Sequence, residues 1–350
     1  MKATRYLVEI LKEHCSALAL ENGRRVGQSG HDIAREYLLE KMDELELLPF
    51  EGESFELKYQ GIHPETGKSQ LFSNLIGVVP GRDRELSPVL VGAHYDSVID
   101  APCVDDNATS VAMTMELARY FKSQSLERDL IVAFFDAEEP PHFLGETMGS
   151  RRFCEDHCQG MQFAAVIVSD LIGHEATDND LPFVSKAKFL FPHLRKLIAV
   201  MGAESDSFFP PILEAAAGKA RGLRIFPTLH RYVGPMSDHG PFANAGHPFL
   251  FLSCGQGRHY HMPSDRMDWI NFRKLADTTA FTADLIERID RKVEEAESIP
   301  CEPFEVESRM LKKALGPVVV TVLRIFGFRI PETRKGLDDF VTGIVDGHTR

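Results

Sequence analysis

The chain contains the segment Val89-Leu-Val-Gly-Ala-His94-Tyr-Asp96-Ser, which a short loop joins to Asp105-Asp106-Asn107. Its apolar beginning is typical of a strand that is buried on both faces, as in a parallel sheet. Open α/β sheets place their ligands at the carboxyl edge of such strands. Histidine together with carboxylates is a ligand set that suits zinc. The segment therefore predicts a zinc site where a buried strand ends.

Two further apolar runs end in acidic residues. Residues 129–136 read as a buried strand that is followed by Glu138-Glu139, and residues 164–169 read as another that is followed by Asp170. Because the carboxyl ends of parallel strands meet at one edge of a sheet, we expect these polar groups to share one site.

The remaining pattern alternates helices with strands, which indicates an α/β fold. We predict helices over 4–20, 32–47, 107–121, 150–158, 189–201 and 272–290, the last with Asn271 as its N-cap, and strands over 54–59, 71–79 and 247–253. We expect the rest of 171–236, including 215–222, to consist of loops and short elements.

Composition excludes several classes of protein. The net charge of −13 argues against nucleic acid or an anionic membrane as the main partner. Charged residues interrupt the first 20 positions, and no run of about 18 apolar residues occurs, so we expect neither a secretory signal nor a transmembrane helix. The six cysteines are scattered, which favours reduced thiols and a cytoplasmic location.

Two prolines, Pro300 and Pro303, separate the last part of the chain from the main body. We predict one main domain over 1–293. Residues 294–350 are predicted to form a C-terminal extension that is helical and packs on the body or on a second subunit, so a homo-oligomer is possible.

A dinuclear zinc site needs one carboxylate that bridges the ions and about two further protein ligands for each. The candidates are His94, Asp106, Glu139, Asp170 and His261. Three carboxylates and a bridging hydroxide would neutralise two Zn²⁺ ions, which eases burial. Two zinc ions are expected, although one is possible. Glu138 lies beside a ligand and is free to act as a general base on the bridging water.

These motifs, in this order and spacing, resemble the M28 family of zinc aminopeptidases. They are His94-x-Asp96, Asp105-Asp106-Asn107, Glu138-Glu139, Asp170, Ser237-Asp238-His239 and Tyr260-His261. The resemblance covers about residues 20–290, and it implies that the domain predicted over 1–293 is a zinc peptidase domain. It implies a phosphorylase/hydrolase-like fold, a three-layer α/β/α arrangement with a mixed, mainly parallel sheet of eight strands.

The resemblance also implies roles for the site residues. Asp106 would bridge the ions, with His94 and Asp170 on one and Glu139 and His261 on the other. Asp96 would orient His94, and Glu138 would pass a proton from water to the leaving amine. The peptide bond between Asp106 and Asn107 would be cis. The family often has Gly-Leu-Leu-Gly-Ser after the Glu pair, whereas this chain has the longer Pro140–Ser150 segment, so substrate preference does not carry over.

The leading hypothesis is therefore a zinc aminopeptidase whose substrates are peptides with a free N-terminus. The alternative is a glutaminyl-peptide cyclotransferase, which uses zinc to cyclise N-terminal Gln. Such enzymes tend to have tryptophan around the pocket, whereas here Tyr260 precedes His261 and the one tryptophan is Trp269. A non-catalytic binding domain would lose ligands that this chain keeps. A related carboxypeptidase or deacylase would place its bridging Asp in a Gly-rich motif.

Other polar residues near these motifs have less defined roles. Asp238 and His239 either support the metal ligands or make ordinary loop hydrogen bonds. Tyr232 is a candidate donor to the tetrahedral intermediate. His142, His174 and His259 are interpreted as ordinary histidines of the cleft loops.

Overall fold

The computed structural model of the protein describes residues 1–175, 192–292, 299–325 and 331–346. Its strands within these residues are β1 Leu48–Pro49, β2 Glu56–Ile62, β3 Ser69–Val79, β4 Val89–His94, β5 Leu130–Phe135, β6 Ala165–Ser169, β7 Leu197–Met201, β8 Arg224–Thr228 and β9 Phe249–Ser253. The α-helices are α1 Arg5–Leu18, α2 Ser29–Glu44, α3 Thr109–Lys122, α4 Gly149–His157, α5 Phe209–Lys219, α6 His239–Asn244, α7 Phe272–Ile289, α8 Phe304–Ile325 and α9 Arg334–Asp346.

The strands form one mixed sheet in the order β1-β3-β5-β4-β6-β9-β7-β8, with β2 also paired to β3. The four central strands β5, β4, β6 and β9 are parallel. On either side of them, β3 runs antiparallel to β5 and β7 runs antiparallel to β9. The expected mixed sheet with a parallel centre is confirmed. The described residues contain nine strands rather than eight, because the two-residue β1 adds to the edge of β3.

Helices cover both faces of the sheet, as the three-layer prediction requires. Side chains of β4 alternate between the faces, so Val91 packs into the core that includes Leu11 of α1, whereas Leu90 packs into the core that includes Phe153 of α4. Each central strand is buried along its whole length. This double burial explains why these strands read as unbroken apolar runs.

The helix predicted over residues 189–201 is wrong where the structure describes it. Residues 189–191 lie outside the described residues, Pro192–Lys196 forms a short 3-10 helix, and Leu197–Met201 forms β7. Strand β7 pairs with both β8 and β9. A short apolar run suits either a buried helix or a buried strand, and pairing with distant strands decides between them.

The loops and short elements expected over 215–222 are wrong for residues 215–219, which belong to α5. Helix α5 contains the pair Pro210-Pro211. In the structure the pair lies in the first turn of α5, where a backbone N–H has no helical partner and its loss costs little. The predicted N-cap of α7 is confirmed, since the Asn271 side chain accepts a hydrogen bond from the Lys274 N–H at 3.0 Å.

Two helices, α8 and α9, follow the main body. The predicted domain boundary at residue 293 lies outside the described residues. Helix α8 packs against the edge strand β8, and it is interrupted at Gly316, whose φ is 78°, and at Pro317. In the described part of the chain, no helix is long and apolar enough to cross a bilayer.

Candidate metal centre

The carboxyl edge of the central sheet brings the candidate ligands together. His94 is the last residue of β4, and Asp170 directly follows β6. Glu138 and Glu139 follow β5 after a short turn. The side chains of His94, Asp106, Glu138, Glu139 and Asp170 are all buried. The topology thus places at one edge polar groups that lie far apart along the chain.

Among the described residues, three groups of side chains are close enough to hold a metal ion, and two of them contain Asp106. These two are His94, Asp106 and Asp170, and Asp106, Glu139 and His261; the third is His94, Glu138 and Glu139. In the first, His94 Nε2 lies 3.4 Å from Asp106 Oδ1 and 3.7 Å from Asp170 Oδ1. In the second, His261 Nε2 lies 3.4 Å from Asp106 Oδ2 and 3.3 Å from Glu139 Oε2. Asp106 therefore presents a different oxygen to each of these two groups, which suits a carboxylate that bridges two ions through both oxygens.

The residues present fit zinc. Buried polar atoms are normally hydrogen bonded. Among the described residues, the following buried atoms have no hydrogen-bond partner: His94 Nε2, Asp106 Oδ2, Glu139 Oε1, Asp170 Oδ1 and His261 Nε2. Imidazole nitrogens and carboxylate oxygens are common zinc ligands, and cations between them would give these atoms partners.

The electrostatics of the site also favour a cation. Burial and the charge of Asp106 raise the pKa of Glu139 to about 8. Burial is likewise the main cause that raises the pKa values of Glu138 and Asp170. Burial lowers the pKa of His94, but the charge of Glu138 and the nearby carboxylates outweigh it and raise that pKa well above its usual range. Carboxylates crowded in this way would regain their ordinary acidity beside a divalent ion.

Asp96 holds two parts of the site in place. Its Oδ1 lies 3.3 Å from His94 Nδ1. Its two oxygens accept hydrogen bonds from the backbone N–H groups of Glu138 and Glu139, each at 3.1 Å. Burial raises the pKa of Asp96, but these partners outweigh it and lower that pKa. Asp96 therefore links the end of β4 to the Glu pair that follows β5.

The side chain of Asp105 bonds to residues outside the two ligand groups that contain Asp106. Its Oδ2 lies 2.6 Å from His174 Nδ1, and its Oδ1 accepts a hydrogen bond from the Gly173 N–H at 2.7 Å. His174 is fully buried. The interpretation of His174 as an ordinary cleft histidine is therefore wrong, because its ring helps to fix the loop that carries Asp106.

Two residues that support the metal loop were not identified from the sequence. Asp265 accepts hydrogen bonds from the N–H groups of Asp105 and Asp106, at 2.9 and 3.1 Å. It lies only four positions after His261, and that proximity is the one signal that the sequence offers. Arg24 is buried, and its guanidinium donates to the carbonyl oxygens of Leu18, Tyr95, Pro102, Cys103 and Asp106. Nothing in the sequence around Arg24 indicates this role.

The three residues of the Ser237-Asp238-His239 segment have different surroundings. The Ser237 hydroxyl donates to Asp170 Oδ2 at 3.1 Å. Asp238 is fully buried, and burial raises its pKa to about 7. His239 instead stacks on Phe251, with ring centroids 4.1 Å apart. The segment thus combines support of a candidate ligand with ordinary packing.

Tyr232 does not have the predicted role as a donor to an intermediate. Its hydroxyl lies 2.5 Å from Asp338 Oδ1 and 3.2 Å from Arg334 Nη1. Both partners belong to α9, so the hydroxyl is engaged by the C-terminal extension.

Comparison with known proteins gives related results. The family model described as peptidase family M28 matches residues 74–286. The chain is 26% identical to aminopeptidase YwaD of Bacillus subtilis over 217 residues, which is 59% of this chain and 42% of that protein. It spans less than two thirds of the length of the curated relatives it matches.

Among solved structures, the LapA aminopeptidase of Legionella pneumophila is similar, with a TM-score of 0.61 and 16% identity over 82% of this chain and 73% of that chain. A glutaminyl cyclase of Porphyromonas gingivalis is also similar, with a TM-score of 0.62 and 17% identity over 82% of this chain and 98% of that chain. At these identities the likeness concerns the fold alone.

Proposed function

Because the chain belongs to peptidase family M28, we propose that it is a zinc aminopeptidase that hydrolyses the N-terminal peptide bond of peptides. The observation that carries the proposal is the position of Asp106 between His94 and His261, with one carboxylate oxygen towards each. This arrangement supports a site for two ions that share one carboxylate.

In this proposal, His94 and Asp170 would hold one zinc ion, Glu139 and His261 would hold the other, and Asp106 would take part in both sites. When bound, zinc would polarise the scissile carbonyl and lower the pKa of a water molecule. Asp96 and Asp265 keep the ligands oriented through the backbone bonds described above.

Glu138 is the proposed general base. Its Oε2 lies 3.9 Å from His94 Nε2, which places the carboxylate at the edge of the ligand cluster. The side chain of Glu138 is buried beside the candidate ligands, which would place its carboxylate to accept a proton from water held at the site. Glu138 takes a proton from the attacking water and then donates it to the leaving amine.

A glutaminyl cyclase is the second candidate, and the similar fold of the bacterial cyclase favours it. Cyclisation would still use zinc to polarise an amide, but no water would attack. Trp269 stacks on His174 with ring centroids 5.5 Å apart and packs edge-on against His259. It therefore lies beside the residue that supports Asp105. The residue directly before His261 is Tyr260 rather than a tryptophan, which supports hydrolysis over cyclisation.

Mass spectrometry of peptides incubated with the zinc-loaded protein tests the proposal. The panel contains peptides with varied free N-termini, one with N-terminal Gln and blocked controls, each with and without chelator. Stepwise loss of N-terminal residues that chelator abolishes is the expected result. Loss of ammonia from the Gln peptide alone would make the protein a cyclase, and unchanged peptides would refute both activities.

A further inference from the structure

The helices α8 and α9 lie beyond the residues that match the family, so the family gives them no role. An apolar cluster joins them to the main body. Leu311 of α8 and Leu337 and Val341 of α9 are buried in it, and Phe226 of β8 and Tyr232 pack against it. The extension therefore packs against β8 and against the residues that follow this strand.

Polar contacts join α9 to the same stretch. Arg231 Nη2 lies 2.7 and 2.8 Å from the two oxygens of Asp338, and the Tyr232 hydroxyl donates to Asp338 Oδ1 at 2.5 Å. Hydrogen bonds to an ionised acceptor are stronger than neutral ones. One carboxylate of α9 therefore binds two successive side chains of the turn His230–Tyr232.

Helix α8 completes the network through Arg334 of α9. Arg334 Nη2 lies 2.6 Å from Glu307 Oε2, and Glu307 is only 1% exposed. Arg334 Nη1 also lies 3.2 Å from the Tyr232 hydroxyl. Arg334 is partly exposed, but Glu307 is buried, so removal of Arg334 would leave the Glu307 carboxylate buried without this partner. The pair therefore fixes α9 against α8 and orients Asp338 towards the turn.

The turn leads directly into the metal centre. The Gly234 N–H donates to the His230 carbonyl at 2.7 Å, which closes the turn. Three residues later, the Ser237 hydroxyl donates to Asp170, a candidate zinc ligand, at 3.1 Å. Asp338 and Asp170 are thus bonded to the two ends of one short segment, residues 231–237, and the chain between these ends connects them.

We propose that the C-terminal extension positions the metal centre, and that Asp338 is a positioning residue that holds residues 230–237 so that Ser237 orients Asp170. The proposal rests on the function proposed above, because it assigns Asp170 to zinc. The proposal gives the extension a part in activity, although α9 lies outside the residues that match the family model.

The test compares Asp338→Ala with Asp339→Ala. Asp339 is the next residue of the same helix and is exposed, so its replacement makes the same change in charge without touching the turn. Tyr232→Phe is a milder second variant that removes only the hydroxyl. The readouts are hydrogen–deuterium exchange of residues 230–237, zinc affinity by competition with a chelator, and kcat and KM for a peptide, all well below the melting temperature.

Asp338→Ala is expected to speed exchange in the turn and to lower zinc affinity and kcat by about tenfold, which is a typical effect of losing support for a ligand. Tyr232→Phe is expected to act in the same direction, and Asp339→Ala to match the wild type. Wild-type exchange and zinc affinity in both Asp338→Ala and Tyr232→Phe would overturn the proposal. The exchange and zinc measurements do not depend on peptide cleavage, so a protein that cleaves no peptide would refute the proposed function without deciding this one.

Discussion

Arg24 offers a test of how the metal loop is held. A guanidinium has five N–H groups, and the structure gives each of them a backbone carbonyl, at 2.6–3.4 Å. Two of these carbonyls belong to Tyr95, which lies between His94 and Asp96, and to Asp106. Arg24 therefore binds the backbone beside three residues of the candidate site.

Arg24→Lys keeps the charge but offers only three donors. At least two carbonyls would lose their partner in the buried site, and each unsatisfied group costs about 1–3 kcal/mol. We therefore expect the free energy of unfolding to fall by about 2–6 kcal/mol. A loss of this size is a large part of the stability of an ordinary domain.

Urea denaturation followed by circular dichroism would measure the loss, in the presence and absence of zinc. Arg25→Lys is the matched control, because Arg25 is the next residue, is exposed, and only approaches Asp100, at 3.7 Å. An exposed pair of this kind contributes little to stability. If Arg24→Lys and Arg25→Lys differed by less than about 1 kcal/mol, the hydrogen-bond argument would be refuted.

Three further predictions concern the carboxylates Glu138 and Glu307 and the candidate ligand His261. Glu138→Ala should retain zinc, and its kcat should fall at least about a hundredfold. The control Glu53→Ala, at an exposed position, should keep the kcat of the wild type. Full activity of Glu138→Ala in a steady-state assay would remove Glu138 from the mechanism. His261→Ala should lower the zinc content measured by plasma mass spectrometry, and unchanged content would show that the ligand assignment is wrong. Burial raises the pKa of Glu307 from 4.5 to about 6, despite Arg334. The folded state therefore binds the proton more tightly, and stability present below pH 4.5 is lost as the pH rises through 6. Over this range, the unfolding free energy of the wild type should fall by about 2 kcal/mol relative to that of Glu307→Gln, which does not titrate. A difference between the two proteins that does not change with pH would contradict the prediction.

Much of the fold and the arrangement of the site could be predicted from local sequence. The runs that became β4, β5 and β6 are apolar along their whole length because both faces of each strand are covered. Polar residues directly after such strands meet at one sheet edge whatever the details of packing. For this reason His94, Glu139 and Asp170 could be grouped before any distance was known. The cis peptide bond between Asp106 and Asn107, expected from the resemblance to M28 enzymes, is confirmed.

Prediction failed where the deciding partner is remote in the chain. The apolar residues Leu197–Met201 suit a helix or a strand equally, and pairing with β8 and β9 selects the strand. Asp265 supports Asp106 across 159 positions of sequence. A carboxylate that bonds distant backbone N–H groups has no periodic or compositional signal, so its role was not identified.

The sequence by itself determined which residue types end the buried strands, and with them the chemistry of the site. The tertiary structure alone decided how those residues are held. Arg24 reaches the carbonyl of Asp106 across 82 positions, and Arg231 reaches Asp338 across 107. Such contacts depend on the packing of whole elements against one another, because the entropy cost of closing a long loop is offset only when the surrounding core forms.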